Sequence, residues 1–320
     1  MKVSVIIPSY NDNYTINTTV QSLLNHNHNI HEIIIVDDFS DTPVQDIIQD
    51  FDRRIRVFRT EQNGGVGKSF DFGVSCADGD VLYLMGADIR FDSNDAVDEM
   101  CRYAYQEKDQ LVSCGCIGVT DNINFERSTN VSDNGRMGAS IKWKITNDDL
   151  SGNNPLSKDY SYRDIIQAKW LREKPNQITT IPCILGATYA VSKEWYLYLK
   201  GFQEHRTWGG LEPMISIKSH LSGGGCKIMP DVYTGHMFGR GVSKRNTWDM
   251  YFNKVYMAYM FFDEEVRDEL LDHVKVWKNP MVAEKEILER WGSYFSKQKK
   301  YYNSIFKKDV RDTILWDTWV

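Results

Sequence analysis

Short apolar runs alternate with segments of helical periodicity along the first ninety residues. Residues 3–7 and 33–36 are dominated by β-branched side chains, which is typical of strands buried on both faces. Residues 11–24 carry apolar side chains three or four positions apart and predict a helix between these runs. We also expect helices at about 43–51 and 63–76 and strands at 54–59 and 81–85. This alternation, with short connections, predicts an α/β fold with a mostly parallel sheet and flanking helices.

The pattern is less regular after about residue 100. Residues 129–154 are polar and without periodicity apart from an embedded Trp143, so we interpret them as a functional loop and a candidate lid. Residues 178–191 predict a strand, and residues 193–200 predict a helix. From about Thr247 onward the patterning is mostly helical.

Composition excludes several classes of protein. Lys and Arg number 38 against 44 Asp and Glu, and the net charge of −6 argues against a polyanion-binding surface along the whole chain. A hydrophobic fraction of 42% and a charged fraction of 26% are typical of a globular protein. The sequence shows neither a signal-peptide pattern nor an apolar run of the ~20 residues that a membrane helix needs. Six scattered cysteines indicate reduced thiols, so we expect a cytoplasmic protein, bacterial or in the host cytoplasm if viral.

Acidic turns follow two of the predicted buried strands. Asp37 and Asp38 follow residues 33–36, and Asp88 closes the turn after residues 81–85. The carboxyl ends of parallel strands lie at one edge of a sheet, where ligands gather. Asp37 and Asp38 could bind a base or a ribose there, or they could cap a turn or a helix. The second acidic turn favours the binding interpretation.

The glycine-rich segment at 63–69 suggests a phosphate-binding loop. A P-loop needs glycine at position 62, where Gln62 stands, and this segment follows the third strand instead of the first. Lys68 beside a helix N-terminus would still suit an anion. A solvated surface lysine is an equally good interpretation.

Four motifs in the same order resemble a known family. The runs VIIPSYND and IIIVDDFSD, the glycine-rich helix start and the acidic turn are similar to a family-2-type glycosyltransferase with the GT-A fold. Trp208-Gly209-Gly210, Glu212, the GGGC turn at 223–226 and GHMF at 235–238 resemble the polypeptide N-acetylgalactosaminyltransferase branch. The resemblance spans about residues 1–240 and leaves the tail uncovered.

The resemblance implies a GT-A catalytic domain at 1–245, with a Rossmann-like sheet. Residues 1–90 would be its nucleotide-binding half and residues 91–245 its acceptor and sugar half, while the helical patterning predicts a C-terminal region at 246–320.

The resemblance also implies the nucleotide contacts. Pro8, Tyr10 and Asp12 would line the base pocket, together with the acidic turn at 37–38. Lys68 would lie near the nucleotide diphosphate, and Ala87 would be among the nucleotide-binding residues.

A metal site is implied at the second acidic turn. Asp88 falls at the last position of the family's Asp-X-Asp motif, Gly86 stands where the first acid would be, and His236 matches a distal metal-ligating histidine. One carboxylate, one imidazole and diphosphate oxygens suit Mn²⁺, and less well Mg²⁺. The missing acid predicts weaker contacts to ribose and sugar.

Glu212 and Trp208 are the candidate sugar-binding residues, and with Asp88 they are the candidate catalytic residues. Glu212 lies in the first turn of a predicted helix, where an acid in the family contacts the sugar and acceptor, although the family's own position falls on Leu211. An acid there could instead simply stabilise the helix dipole by ~0.3–1 kcal/mol. Trp208 would support the sugar face, unless it is a core tryptophan.

The tail contains a basic and aromatic stretch at 291–311, with one acid, Asp309. The favoured interpretation is an amphipathic helix packed on the catalytic domain with solvated lysines. The alternative is a docking surface for DNA or for an anionic membrane.

The sequence thus predicts a metal-dependent glycosyltransferase with a nucleotide-sugar donor, most simply a UDP-sugar. If the resemblance holds, a hexosyl, pentosyl or N-acetylhexosaminyl group is transferred with retention. The acceptor would be a hydroxyl of a protein or glycan, or a hydroxymethylated pyrimidine in DNA. The competing hypothesis is a degenerate GT-A module that binds nucleotide without turnover, and Gly86 motivates it.

Overall fold

A computed structural model describes residues 1–26, 29–48, 52–92, 95–128, 135–143, 165–238, 247–272 and 278–315. The strands are β1 (Val3–Ser9), β2 (Glu32–Asp37), β3 (Ile55–Arg59), β4 (Val81–Met85), β5 (Ile89–Phe91), β6 (Gln110–Gly118), β7 (Ala139–Lys142), β8 (Gln167–Trp170), β9 (Thr179–Thr180), β10 (Thr188–Ser192) and β11 (Gly225–His236).

The helices are α1 (Ile16–His26), α2 (Val44–Ile47), α3 (Val66–Cys76), α4 (Ala96–Gln106), α5 (Lys193–Tyr198), α6 (Leu211–Leu221), α7 (Thr247–Phe261), α8 (Glu264–Asp272), α9 (Lys278–Arg290) and α10 (Ser296–Ile305). A π-helical turn at Trp291–Phe295 joins α9 to α10, and a short 3₁₀ turn lies at Val310–Asp312. None of the helices in the described ranges is long and apolar enough to cross a bilayer.

The main sheet has the strand order β3-β2-β1-β4-β10-β6-β11-β5, and β9 pairs with β11. Strands β3, β2, β1 and β4 run parallel, β10 is antiparallel to β4 and β6, and β11 is parallel to β6. The α/β prediction is confirmed. Parallel β1, β2 and β4 bring the carboxyl ends of three strands to one rim of the sheet.

Both faces of the sheet are covered, which explains the unbroken apolar runs. Ile6 and Ile34 belong to a buried cluster that includes side chains of α3 and of the C-terminal helices. Val5 and Ile35 point the other way, into a second cluster with side chains of α1 and α4. Since successive strand residues face opposite sides, strands covered on both faces need apolar residues at every position.

Two predicted helices are shorter than the sequence pattern indicated. The first begins at Ile16 instead of residue 11, because the Asp12 carbonyl accepts hydrogen bonds from the amides of Thr15 and Ile16 in a turn. Asn11 precedes that turn with a left-handed φ of 58°. The second helix is only Val44–Ile47, and residues 49–51 lie outside the described part.

The single strand predicted at 178–191 is wrong. It is two strands, β9 and β10, joined by a buried connection at 181–187 that includes Pro182 and Gly186. Side chains replace the strand hydrogen bonds there: Ser216 Oγ accepts from the Ile184 amide at 3.2 Å, and Ser113 Oγ accepts from the Leu185 amide at 3.3 Å. Hydrophobic pattern alone cannot distinguish such a buried loop from a strand.

Part of the predicted lid at 129–154 belongs to the core. Within it, β7 pairs with β8 in a separate two-stranded sheet. Trp143 is buried and its indole nitrogen donates to the Leu315 carbonyl at 2.7 Å. Residues 135–143 therefore do not form a lid, while residues 129–134 and 144–154 lie outside the described part.

The C-terminal helices share one core with the sheet. Helix α7 begins at Thr247, where helical patterning was expected to begin. Tyr256 of α7 and Tyr302 of α10 belong to the same buried cluster as Ile6 of β1 and Met214 of α6. Apolar packing is thus continuous across residues 245 and 246, where the sequence suggested a boundary.

The tail cations only partly fit the expectation of solvated lysines. Lys299 Nζ donates to the Phe262 carbonyl at 2.6 Å, just beyond the end of α7, and burial lowers its pKa to about 8. Arg311 forms ion pairs with Asp263 at 2.7 Å and with Glu265 at 2.9 Å. The amphipathic, packed helix is the better description of α10, but its Lys299 is not a solvated side chain.

Candidate functional site

The predicted nucleotide-binding residues lie at the carboxyl ends of β1, β2 and β4. Pro8 is buried within β1 opposite Val36 of β2, and the Asp38 amide donates to the Ser9 carbonyl at 2.8 Å. The Ala87 carbonyl, after β4, accepts from Thr19 Oγ1 at 2.7 Å. The first hydrogen bond joins the ends of β1 and β2, and the second joins the segment after β4 to α1, the helix that follows β1.

Asp88 and His236 meet because β5 pairs with the end of β11. In that antiparallel pairing Ile89 lies opposite His236, and the Met237 amide donates to the Asp88 carbonyl at 3.1 Å. Asp88 Oδ2 and His236 Nε2 are 3.4 Å apart, with side chains 28% and 24% exposed. A carboxylate and an imidazole thus converge at a partly open place on the rim.

The donor set of this pair fits a divalent cation such as Mn²⁺. Oxygen and nitrogen ligands in this combination suit Mn²⁺, with further positions available for ligand oxygens and water. The His236 ring packs on Phe238, with ring centroids 4.2 Å apart, and its buried Nδ1 has no hydrogen-bond partner among the described residues. Within those residues, no cluster of three His, Cys, Asp or Glu side chains forms a metal site, so a bound nucleotide would have to supply ligands.

Asp12 shows that the rim carries excess negative charge. Its carboxylate accepts the Tyr10 amide at 2.9 Å. Burial raises the pKa of Asp12 to about 6, and the negative charge of Asp88 contributes to the rise. A cation beside Asp88 would relieve this repulsion, so the electrostatics of the rim favour one.

Asp37 does not line an open pocket, which argues against its predicted contact with the nucleotide. Its carboxylate is fully buried and accepts the Ser40 amide at 2.8 Å, the Val44 amide at 3.1 Å and Arg59 Nη1 at 2.5 Å. Asp37 therefore caps the turn and the start of α2, the alternative that the sequence left open.

Asp38 holds the glycine-rich loop. Its carboxylate is 3% exposed and accepts the amides of Gly64 at 2.8 Å and Gly65 at 2.7 Å. Burial raises the pKa of this group, against the lowering effect of these hydrogen bonds. The N-terminus of α3 therefore already has an internal anion, whereas Lys68, in its first turn, is exposed and available to an external one.

One short segment, residues 186–187, lies between Glu212 and the turn that contains Asp88. It is in the first turn of α6, and its carboxylate packs against the Cα of Gly186, where a side chain would overlap it. The next residue, Ala187, accepts the Gly86 amide at 3.0 Å. Burial raises the pKa of Glu212, which favours a hydrogen-bonding acid over a freely solvated carboxylate.

Trp208 is not a core residue, since its side chain is 39% exposed. Gly209 and Gly210 follow it with left-handed φ angles of 93° and 85°, which favour glycine. Its contact with a sugar stays a prediction.

Sequence reasoning missed an aromatic stack that continues from His236. The Arg136 guanidinium carbon lies 3.8 Å from the Phe238 ring centroid and 4.5 Å from that of Trp170. Trp170, at the end of β8, is 48% exposed. Arg136 and Trp170 are distant in the chain from each other and from the GHMF motif that contains His236 and Phe238, so no local motif could have indicated the stack.

Comparison with known proteins identifies the class. The model of glycosyl transferase family 2 matches residues 4–164, half of the chain, and the chain belongs to that family.

Among curated relatives, polypeptide N-acetylgalactosaminyltransferase 10 of Rattus norvegicus is 27% identical over 248 residues, covering 75% of this chain and 38% of the relative. Transferase 14 of Homo sapiens is 25% identical over 241 residues, covering 73% of this chain and 40% of the relative. The chain therefore spans about two fifths of the length of these relatives. The resemblance to their branch is confirmed.

The solved structures confirm the GT-A fold. GalNAc-T7, crystallised with UDP, GalNAc and Mn²⁺, superposes with a TM-score of 0.72 at 18% identity, covering 99% of this chain and 57% of that one. TarS 1–349 of S. aureus, in complex with UDP-GlcNAc, gives a TM-score of 0.51 at 15% identity, covering 86% and 72%.

We predict that Asp38→Asn destabilises the free protein, because an amide cannot accept both glycine amides that the carboxylate accepts. The loss should be about 1–3 kcal/mol in the free energy of unfolding, measured in urea. Asp41→Asn, an exposed carboxylate in the same turn, is the control and should change it by less than ~0.5 kcal/mol. Unchanged stability of Asp38→Asn with weaker UDP binding would instead support base recognition.

Proposed function

We propose that this protein transfers a sugar, an N-acetylhexosamine, from a UDP-sugar to an acceptor hydroxyl with the help of a divalent cation. The observation that carries the proposal is the pairing of Asp88 with His236 on the strand-end rim. The UDP and Mn²⁺ bound to GalNAc-T7 and the UDP-GlcNAc bound to TarS support the donor and the metal.

Asp88 and His236 would hold Mn²⁺, or less favourably Mg²⁺, against the donor diphosphate. When bound, the cation supplies positive charge to the leaving diphosphate. Lys68, exposed in the first turn of α3, would add charge on the same leaving group. Asp12 and Tyr10, half-buried beside Asp88, would orient the nucleotide.

Retention of configuration is part of the proposal. The bond from the anomeric carbon to the diphosphate oxygen breaks while the acceptor oxygen bonds to that carbon on the same face. The acceptor proton passes to the departing phosphate oxygen. Glu212 would hydrogen-bond the sugar or the acceptor hydroxyl, a role that its raised pKa suits better than that of a nucleophile.

The exposed side chain of Trp170 offers the acceptor a surface near Asp88 and His236, the proposed metal ligands. Two ring contacts, of 5.8 Å from Trp170 to Phe238 and 4.2 Å from Phe238 to His236, connect it to the proposed ligand. The names of the curated relatives favour a polypeptide hydroxyl. The exposed cations Lys169 and Arg172, next to Trp170 in the chain, would also suit an acidic acceptor such as DNA carrying a hydroxymethylated pyrimidine.

The basic tail is a poorer acceptor surface than the sequence suggested. Lys299 and Arg311 are used in contacts with the end of α7 and with acidic residues around α8. Lys297, Lys300, Lys307 and Lys308 remain exposed, but ring contacts connect Trp170 to His236, and we therefore propose that an acidic acceptor crosses Trp170 and not α10.

The competing proposal, a nucleotide-binding module without turnover, rests on Gly86. Its amide is hydrogen-bonded to Ala187, and a Cβ at this position would come within 2.7 Å of Asp88 Oδ1. The two proposals differ in whether UDP is released from a UDP-sugar.

We predict that Asp88→Asn and His236→Gln each lower Mn²⁺-dependent UDP release from UDP-GalNAc or UDP-GlcNAc by about 10²–10³-fold, since each removes a metal ligand and several kcal/mol of charge stabilisation. The double variant should be little worse than either single one, because the ligands act as a unit. His31→Gln, an exposed histidine at the opposite strand ends, is the control.

Two results would count against this site. Wild-type protein that binds UDP tightly but releases none from either donor would support the module. Equal UDP affinity for wild type with Mn²⁺ and for the double variant in chelator would remove the metal from the proposal.

We predict that Glu212→Gln weakens UDP-sugar binding about tenfold and leaves UDP binding unchanged, because the lost hydrogen bond, worth about 1.5 kcal/mol, involves the sugar only. Titration calorimetry with both ligands measures this. Glu99→Gln removes an exposed acid in the first turn of α4 and is the control for the loss of a negative charge at a helix N-terminus. Equal losses for UDP and UDP-sugar would assign Glu212 a structural role.

We predict that Trp170→Ala lowers transfer to the acceptor by about 3- to 100-fold, from an aromatic contact of ~0.5–3 kcal/mol, with donor hydrolysis unchanged. The assay is a panel of Ser/Thr peptides, glycans and hydroxymethylpyrimidine oligonucleotides. Tyr105→Ala, exposed on α4, is the control. If transfer is equal in both variants, the acceptor does not cross Trp170.

A further inference from the structure

Residues 205–210, here called the WGG loop, lie between the glycine-rich loop and α7. Gly65 forms an isolated parallel bridge with Thr207, and a side chain on Gly65 would overlap the backbone of Thr207. On the other side, a Cβ on Gly209 would be 3.1 Å from Met250 of α7. The WGG loop therefore packs between two elements. The glycine-rich loop precedes it in the chain, and α7 follows it.

Asn253 of α7 makes three hydrogen bonds to the backbone of this loop. Its Oδ1 accepts the Arg206 amide at 2.8 Å, and its Nδ2 donates to the carbonyls of Arg206 at 2.9 Å and Gly209 at 3.0 Å. One turn earlier, Asp249 Oδ2 accepts Thr207 Oγ1 at 3.0 Å. Asn253 is fully buried, so these bonds are not shared with solvent.

His205 supports the same carbonyl. It is fully buried, and its Nε2 lies 3.0 Å from the Gly209 oxygen. Asn253 Nδ2 lies 3.2 Å from the same Nε2, so the neutral ring either donates to the Gly209 carbonyl or accepts from Asn253, depending on its tautomer. Burial lowers the pKa of His205 to about 4, which keeps the ring neutral at physiological pH.

The loop also has an electrostatic anchor in the C-terminal helices. Arg206 pairs with Glu286 of α9 at 2.5 Å, and its guanidinium carbon lies 3.3 Å from the ring centroid of Phe252 on α7. Residues 206, 207 and 209 are thus each held by helices that follow the last strand of the sheet.

The contacts of the WGG loop are important because Gly209 and Gly210 do not by themselves favour the backbone conformation that they adopt. Both adopt left-handed φ angles, and glycine reaches many backbone conformations at similar free energy. Trp208 precedes them and Glu212 follows them, so the two candidate sugar contacts take their orientation from how this glycine pair is held.

We infer that Asn253 is a positioning residue, which acts through the Gly209 carbonyl to place Trp208 and Glu212 over the donor sugar. This inference rests on the proposed function for its effect on turnover. It also makes α7, which lies beyond the region matched by the family model, part of the sugar-binding site.

The test compares Asn253→Ala and Thr207→Val with Asn303→Ala, an exposed asparagine of α10. Both loop variants should lower kcat for UDP-sugar hydrolysis, by up to about 100-fold for Asn253→Ala, because misplacement of about 1 Å at a reacting group can cost that much. UDP affinity should not change. Hydrogen exchange of the amides at 205–212 should become faster in the loop variants only.

The outcomes separate this inference from the proposed function. If wild type hydrolyses UDP-sugars and both loop variants match it, or if exchange at 205–212 is unaltered, Asn253 is not a positioning residue. If wild type hydrolyses no UDP-sugar, the proposed function fails, but the exchange data still decide whether Asn253 holds the loop. Should Asn253→Ala not fold, Asn253→Asp, which keeps the oxygen that accepts the Arg206 amide but lacks the amide donor to the Gly209 carbonyl, takes its place.

Discussion

The antiparallel pairing of β5 with the end of β11 is the contact on which the rest of the site depends. β5 is a three-residue strand directly after the Asp88 turn, and its partner ends at His236. Without this pairing, the two side chains would have no reason to meet, since they belong to different halves of the chain. β11 is in turn fixed by parallel pairing with β6, which places His236 opposite Gly118. The position of the imidazole is therefore set by the central sheet and not by a flexible loop.

The negative charge on the rim indicates what kind of ligand the pairing of β5 with β11 could help to bind. The carboxyl ends of β1, β2 and β4 carry Asp12, Asp38 and Asp88, and the fold neutralises them unequally. Asp38 is satisfied by two glycine amides, whereas Asp12 has a pKa raised to about 6 by burial and by Asp88. A protein gains nothing in stability from placing two carboxylates together. Such an arrangement is understandable where a cation is to be bound.

Local patterns predicted the elements whose conformation is determined locally. The strand at residues 81–85 and the helical start at Thr247 were placed correctly, since an apolar run and a helical period are properties of neighbouring residues. The roles of Asp37 and Lys299 were not predictable in this way. Each is decided by partners that only the folded chain brings close, Arg59 for Asp37 and the Phe262 carbonyl for Lys299. The approach of Asp88 to His236 was anticipated only because a family resemblance supplied the long-range contact that sequence periodicity cannot supply.

The residues of the candidate site fall into two groups along the chain. The region matched by the family model provides the strand-end carboxylates, while His236, Glu212, Trp170 and Asn253 all come from residues after 164. The first group is acidic and suits a cation bound to a nucleotide. In the second group, His236 completes the cation site with Asp88, whereas Glu212, Trp170 and Asn253 are aromatic or hydrogen-bonding residues that we assign to the sugar and the acceptor. Asn253 and Arg206 tie residues of this second group to the C-terminal helices, and these helices share a core with the sheet. If the proposed function holds, we therefore expect changes in the C-terminal helices to alter donor binding.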